Sequence, residues 1–381
     1  MESFMNANVK NIEISGIRKF FNLVSGESDI VSLTIGQPDF YTPDHVKEAG
    51  KTAIDQNRTT YTHNAGMLPL REAISSFVSE KYGLQYDPEH EIIATVGASQ
   101  AIDITFRTIL SPGDEVILPG PVYPGYEPLI RLAGATPVFA DTRGHDFKAT
   151  ADILEPYITD RTKCMVLPYP SNPTGVSLTK DELREIAELI QGKSIFLLAD
   201  EIYAELTYET PHVSIGSFPA VREQTIIIQG LSKSHSMTGW RIGYVLASEN
   251  IAKHLLKVHQ YNVSCPSSIS QYAALEALTE GKSDAAFMRE EYKRRRDFVY
   301  QELVDMGLET VMPDGAFYLF PKFPVGDSTS FDLGLDLVKK AGLALVPGDA
   351  FSPLGQGYMR ISYAYDMETL KEGMKRLRKY L

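Results

Sequence analysis

Short apolar runs alternate with helical patterns between residues 91 and 231, and this alternation restricts the fold more than any other feature of the 381-residue chain. The runs at 91–95, 163–167, 195–199 and 225–228 have the length and the aliphatic character of buried strands. An amphipathic helix is predicted at 179–191 between two of them. Strands that alternate with helices form a largely parallel sheet with helices on both faces, so an α/β fold is predicted.

The pattern of apolar and charged residues changes after Glu280. The charged run 290–296 predicts a long helix, whose charges we interpret as a solvated face. Short strands are predicted beyond it, at 316–320 and 358–363, together with further helices. This carboxy-terminal part therefore predicts a smaller α+β unit.

Lys233 follows the apolar run 225–228, within the sequence Gly-Leu-Ser-Lys-Ser, and Arg241 lies eight residues further on. Lysine amines form Schiff bases with carbonyl compounds, including pyridoxal phosphate (PLP). A lysine at a strand end, flanked by hydroxyl groups and followed by a cation, suits a Schiff base beside a phosphate. The common alternative is a solvated surface lysine.

Asp200 ends the apolar run 195–199. A carboxylate at the end of a buried strand is costly unless it meets a cation. The pyridinium nitrogen of PLP is such a cation, and an acid beside it keeps the ring protonated. A helix N-cap is the alternative for this residue.

Two further segments carry groups that suit a flat ring. Asn172 follows the run 163–167, and Pro173 favours an extended conformation for it, so its amide could reach the ring hydroxyl oxygen of PLP. Tyr123 lies in the proline-rich loop 119–126, where an aromatic side chain could stack on the ring. An ordinary turn and simple loop packing are the respective alternatives.

The small residues at 97–99 separate the run 91–95 from a helical pattern that continues to Leu110. Such a turn exposes backbone N–H groups at the positive end of a helix, which predicts a phosphate site. Ser99 could instead be a plain helix cap.

In their order and spacing these segments resemble the PLP-dependent class I/II aminotransferases of fold type I, over essentially the whole chain. The resemblance implies the fold of the PLP-dependent transferases. A large PLP-binding domain, with a mostly parallel seven-stranded sheet between helices, is then expected at 42–284. A smaller α+β domain is expected from 1–41 together with 285–381.

The resemblance also implies roles for individual residues. Lys233 would form the Schiff base, Asp200 would meet the pyridinium nitrogen and Tyr203 would donate to the ring oxygen; these three are the implied catalytic residues. The implied cofactor-binding residues are Ala98, Ser99, Gln100, Tyr123, Asn172, Asp200, Tyr203, Ser232, Lys233, Arg241 and Tyr61. The implied substrate-binding residues are Gly36, Asn172 and Arg360, the last as the grip on the α-carboxylate. Tyr61 would complete the site of a partner subunit, so a homodimer is expected.

Composition excludes several other classes of function. The net charge of −12 (37 basic and 49 acidic residues) argues against a nucleic-acid partner. The two cysteines, Cys164 and Cys265, are interpreted as unreactive core thiols, and the eight histidines show no metal-ligand spacing. Neither a secretory signal nor a membrane-spanning run is visible, so a cytoplasmic protein is expected.

The substrate is predicted from the phosphate-loop turn. Aspartate-specific members of the family carry a lysine that meets the distal carboxylate, and Ser99 stands at the matching position. Loop details are most similar to bacterial N-acetyl-diaminopimelate aminotransferases of lysine biosynthesis. The predicted reactants are therefore N-acetyl-LL-2,6-diaminopimelate and 2-oxoglutarate. An aspartate or broad-specificity aminotransferase, a PLP-dependent carbon–sulfur lyase and, with little weight, a non-enzymatic regulator are the alternatives.

Overall fold

The computed structural model describes residues 1–24, 29–324, 326 and 328–381. The strands in this part of the chain are β1 (Val31–Ser32), β2 (Ile92–Thr95), β3 (Glu115–Gly120), β4 (Thr136–Asp141), β5 (Thr162–Leu167), β6 (Phe196–Asp200), β7 (Thr225–Gly230), β8 (Gly243–Leu246), β9 (Tyr318–Leu319), β10 (Leu343–Ala344), β11 (Val346–Pro347) and β12 (Met359–Ser362). The helices are α1 (Ala7–Lys10), α2 (Gly16–Val24), α3 (Asp44–Asp55), α4 (Leu68–Tyr82), α5 (Gly97–Ile109), α6 (Tyr126–Leu132), α7 (Ala151–Leu154), α8 (Lys180–Ile190), α9 (Leu231–Ser234), α10 (Glu249–Val263), α11 (Ser268–Thr279), α12 (Ala285–Asp305), α13 (Ser330–Ala341) and α14 (Met367–Tyr380).

A seven-stranded sheet forms the centre of the fold, with the strand order β2-β8-β7-β6-β5-β3-β4. The neighbours from β7 to β4 are all parallel. Strand β8 is antiparallel to both β7 and β2, so β2 runs in the same direction as the parallel strands. The predicted α/β fold with a mostly parallel seven-stranded sheet is confirmed.

The two faces of the sheet are covered by separate apolar cores. In β7, Ile227 belongs to one core, whereas Ile226 and Ile228 belong to the other. Successive side chains of a strand point to opposite faces, so a strand buried on both sides must be apolar throughout. This requirement explains the uninterrupted apolar runs in the sequence.

Helix α8 has the predicted position and orientation. Thr179 caps it, accepting a hydrogen bond from the backbone N–H of Glu182, whose side chain bonds the backbone of Thr179 in return. The predicted apolar side is buried against the sheet core; it comprises Leu183, Ile186, Ala187 and Ile190.

A further core lies among β9, β12, α12 and α14, with Tyr292, Tyr318 and Ile361 fully buried in it. Strands β9, β12 and β11 form a small antiparallel sheet, and β1 pairs with β10 in parallel. The division of the chain into a large domain at 42–284 and a small domain from 1–41 and 285–381 stays a prediction.

The charged run 290–296 lies within α12, but its interpretation as a solvated face is wrong for two arginines. Arg295 and Arg296 are only 6% and 3% exposed. Arg295 pairs with Asp39 and Glu291, and Arg296 pairs with Glu209. Buried charges require such partners, and sequence periodicity does not identify partners that lie far away along the chain.

The two cysteines are free; Cys164 is buried and Cys265 is half-buried. Within the described residues no helix is both long and apolar enough to cross a membrane.

Candidate active site

One edge of the central sheet collects most of the side chains singled out in the sequence. Tyr123, Asn172 and Lys233 follow the carboxyl ends of β3, β5 and β7, and Asp200 is the last residue of β6. Parallel strands present their carboxyl ends at the same edge, where ligands bind in open α/β sheets. A cleft of about 440 Å³ lies at this edge. The predicted site residues that line it are Gly36, Ala98, Ser99, Tyr123, Asn172, Asp200, Tyr203, Ser232, Lys233, Arg241 and Arg360.

The Lys233 amine lies within this cleft. Its Nζ donates a hydrogen bond to the carbonyl oxygen of Gly36 at 2.5 Å and lies 5.8 Å from the centre of the Tyr203 ring. Burial, reinforced by the charges of Arg360 and Arg241, lowers the pKa of Lys233 to about 8. About a tenth of the amine is therefore neutral at pH 7, far more than for an ordinary lysine, and the neutral form is the one that acts as a nucleophile or a base.

Asp200 is 7% exposed and accepts two hydrogen bonds. The Tyr126 hydroxyl donates to Oδ2 at 2.6 Å, and the backbone N–H of Ile202 donates to Oδ1 at 3.3 Å. Burial raises the pKa of Asp200 to about 6, although these two donors act in the opposite direction. The carboxylate is thus held in an environment that favours a cation beside it.

Arg360 lies on β12 and is 2% exposed. Its Nη1 donates to Oδ1 of Asn172 at 2.9 Å, its Nη2 donates to the carbonyl of Thr34 at 2.7 Å, and its guanidinium lies 4.3 Å from the centre of the Tyr318 ring. Its Nε is buried and has no partner among the described residues. An unsatisfied buried donor is unfavourable, so this guanidinium has capacity for a further acceptor.

The guanidinium of Arg241 lies beside the amino terminus of α5, which is the positive end of that helix. Gly97 has φ +74°, and a Cβ at this position would lie 2.6 Å from Nη2 of Arg241, so only glycine allows this approach. Arg241 donates to the Thr238 carbonyl but forms no ion pair with the described residues. A helix amino terminus beside an arginine without an ionic partner is a favourable environment for a phosphate.

The structure does not bring Gln100 and Tyr61 into the cleft of this chain. The Gln100 side chain accepts from the Val96 backbone N–H at 2.7 Å and contacts His259 Nδ1 at 3.1 Å. Tyr61 is 87% exposed. His235, which follows closely after Lys233, is buried and bonded to Ser234 and to the Gly281 carbonyl, which is a structural role.

Sequence reasoning assigned no role to Tyr126, Tyr318 or Thr34, all of which line the cleft. Tyr203 and Tyr318 share a hydrogen bond between hydroxyls at 2.9 Å, and Tyr318 also lies against Arg360. No local pattern marks these contacts, because each joins segments distant in the chain. Within the described residues, no group of three or more His, Cys, Asp or Glu side chains is arranged to hold a metal ion.

Comparison with known proteins gives the same family from both sequence and structure. Residues 28–377 match the family model for aminotransferase class I and II. The chain is 61% identical to the probable N-acetyl-LL-diaminopimelate aminotransferase of Bacillus subtilis, covering 99% of this chain and 95% of that protein. It is 41% identical to aromatic-amino-acid aminotransferase 2 of Thermococcus litoralis, covering 96% and 95%.

A solved structure is also closely similar to the fold described above. A double mutant of the aspartate aminotransferase of Thermus thermophilus superposes with a TM-score of 0.93 at 36% identity, covering 99% of each chain. The chain therefore belongs to the class I and II aminotransferases, PLP-dependent enzymes that exchange amino groups between amino acids and 2-oxo acids.

Proposed function

We propose that the cleft carries out transamination with Lys233 as its reactive amine and Arg360 as its carboxylate receptor. The observation that carries this proposal is that both side chains line one cleft, the first with a lowered pKa and the second with an unsatisfied buried donor. An amino acid needs both functions, one directed at its amino group and one at its carboxylate.

The residues of the cleft fit PLP. Lys233 Nζ would hold the carbonyl carbon, Asp200 would hold the ring nitrogen, and Arg241 with the start of α5 would hold the phosphate. The fit is supported by a buried carboxylate whose surroundings favour a cation and by a cationic cradle that a Cβ at Gly97 would fill. When bound, PLP supplies an electron-withdrawing ring that stabilises negative charge at the substrate α-carbon.

Lys233 would move the proton on which the reaction depends. A neutral Nζ accepts a proton from the substrate α-carbon and can return it to another carbon, because its pKa of about 8 lies close to working pH. The Gly36 carbonyl holds this amine in the cleft. Tyr203 and Asn172 would donate to the ring oxygen, and Tyr123 would pack against the ring.

Arg360 would orient the substrate. Its guanidinium is fixed by Asn172, Thr34 and Tyr318, so a carboxylate bound to it would be held in a single direction. A planar guanidinium with several hydrogen-bond donors suits a carboxylate better than the point charge of a lysine does.

For the substrates, we propose N-acetyl-LL-2,6-diaminopimelate and 2-oxoglutarate, and a place in lysine biosynthesis. The proposal is supported by the name of the B. subtilis relative and by the small, neutral Ala98 and Ser99 in the cleft. An aspartate or broader specificity is the second candidate, because other relatives are named for aspartate and aromatic amino acids.

A homodimer and a cytoplasmic location stay predictions. Tyr61 is exposed in the single chain and would complete the site of a second subunit.

Replacement of Asp200 by Asn tests the electrostatic environment of the carboxylate in the cofactor-free protein. The folded-state pKa of Asp200, about 6, lies above its ordinary value of 3.8, so its favourable contribution to stability is present below about pH 4 and is lost as pH rises through 6. At pH 8 the Asp200→Asn protein should be more stable by about 2 to 3 kcal/mol. The difference should vanish near pH 4.

Denaturant unfolding at the two pH values measures this difference. Asp160→Asn, at an exposed position, is the matched control and should change the free energy of unfolding at neither pH. The same Asp200→Asn substitution should weaken catalysis by the cofactor-loaded enzyme by about a hundredfold. If the cofactor-free Asp200→Asn protein were less stable than the wild type at pH 8, the buried Asp200 carboxylate would not be destabilising.

Replacement of Arg360 by Ala tests the carboxylate receptor. The kcat/KM of every α-amino acid should fall by roughly a hundredfold or more, because a desolvated ion pair is broken. Steady-state kinetics with an amine that lacks the α-carboxylate should show a far smaller loss. Arg107→Ala, which removes an exposed arginine paired with Asp103, is the control. Equal losses for both classes of substrate would remove Arg360 from this role.

Mixed subunits test Lys233 and Tyr61 together. Lys233→Ala homo-oligomers should be inactive and lack the visible absorbance of the Schiff base between the cofactor and Lys233, and Tyr61→Phe should be impaired. Mixing and refolding the two variants should restore activity, because one site of a heterodimer then contains both native residues. An enzyme that sediments as a fully active monomer would overturn the shared site.

The substrate proposal is tested by kcat/KM values with 2-oxoglutarate as acceptor. N-acetyl-LL-diaminopimelate should exceed aspartate, and Ser99→Lys should raise aspartate activity by supplying a cation for the short side chain. Ser99→Ala, which adds no charge, should not raise it. A wild-type preference for aspartate would favour the second candidate.

A further inference from the structure

A second cavity adjoins the active-site cleft. It is a groove of about 1080 Å³. The residues that line both the groove and the cleft are Ile17, Thr34, Ile35, Gly36, Ser99 and Tyr123. Because the two cavities share these lining residues, the groove lies directly beside a molecule anchored in the cleft at Arg360 and Lys233.

The groove is suited to an aliphatic chain. Helix α2 contributes Ile17 and Phe21 to one part of its lining, and the segment after Tyr123 contributes Pro124, Pro128 and Leu129. The Phe21 side chain is 54% exposed, so apolar surface is available to a ligand. Methylene groups placed against such surface gain free energy by leaving water.

Arg18 is the one charged side chain among the described residues that line the groove. It is exposed and forms no ion pair or hydrogen bond with the described residues. The adjacent Lys19 is different, because its Nζ pairs with Glu13 at 2.6 Å and it does not line the groove. Among the described residues, Arg18 therefore supplies a cation without an ionic partner to a cavity whose other lining side chains carry no charge.

We propose that this groove binds the distal part of a long amino-acid substrate, with the Arg18 guanidinium donating to the distal carboxylate. This inference rests on the proposed function, since it assigns a subsite to an acylated diamino dicarboxylic acid. The chain of methylene groups lies against the apolar walls, and the carboxylate at its end meets the cation.

The position of Arg18 also accounts for discrimination by chain length. Arg18 lines the groove but not the cleft, whereas Ser99 lies where the two meet. The carboxylate of a short side chain such as that of aspartate stays near Ser99, which carries no charge. Only a longer side chain carries its carboxylate into the groove.

A pair of substrates that differ in one carboxylate tests the assignment. Nε-acetyl-lysine is N-acetyl-LL-diaminopimelate without its distal carboxylate, so the ratio of their kcat/KM values isolates that group. Arg18→Ala should lower this ratio about tenfold, as expected for the loss of a charge-assisted contact at a partly open site. Arg18→Lys should retain part of the preference, and Lys19→Ala should keep the wild-type ratio.

A second pair separates this inference from the choice of substrate. 2-Aminopimelate and norleucine also differ by one distal carboxylate, but neither carries an acyl group. If N-acetyl-diaminopimelate is a poor substrate while Arg18→Ala still removes the preference for 2-aminopimelate over norleucine, the subsite stands and the proposed substrate fails. If the wild type prefers N-acetyl-diaminopimelate and Arg18→Ala leaves both ratios unchanged, the subsite is overturned and the proposed substrate stands. A wild-type enzyme that ignores the distal carboxylate in both pairs also overturns the subsite.

Discussion

The shared direction of strands β3, β5, β6 and β7 determines where chemistry can occur in this protein. Each strand ends at the same edge of the sheet, and the chain places a polar residue at or just after each end. Because the interior of the sheet is apolar on both faces, these strand ends are the first positions where polar groups can be tolerated. The rigid sheet then fixes the spacing between groups that are far apart in sequence.

Burial acts on the two ionisable groups of the cleft in opposite directions. It raises the pKa of Asp200 and lowers the pKa of Lys233, since it penalises the charged form of both. At neutral pH both groups are still mainly charged although they are buried, and the cofactor-free protein loses stability as a result. Such opposed shifts in one cleft are typical of a site organised for a ligand that supplies the missing partners.

Apolar composition was sufficient for four strands of the central sheet, β2, β5, β6 and β7, because a strand buried on both faces must be apolar throughout. The seven-stranded arrangement was implied by the family resemblance. The sequence was also sufficient to place Asp200 and Lys233 at one edge of the sheet, since Asp200 ends β6 and Lys233 lies just after β7. It could not identify Tyr126 as the partner of Asp200, nor Thr34 as a partner of Arg360, because these contacts span 74 and 326 residues. The pairs of Arg295 with Asp39 and of Arg296 with Glu209 were missed for the same reason. Periodicity predicts the element to which a residue belongs but not the distant residues that it contacts.

The immobilised guanidinium of Arg360 has a consequence for how specificity can change. Its rotamer freedom is already lost on folding, so binding a carboxylate costs little further conformational entropy. In the proposed role of Arg360, the carboxylate that all amino acids share would be recognised by a rigid side chain that several segments hold in place. In the proposed subsite, substrate side chains would extend instead toward helix α2, which contributes the exposed residues Arg18 and Phe21 to the groove. If substrates bind in this way, a lineage could exchange one amino-acid preference for another through substitutions in that helix, while the residues common to all its substrates remained unchanged.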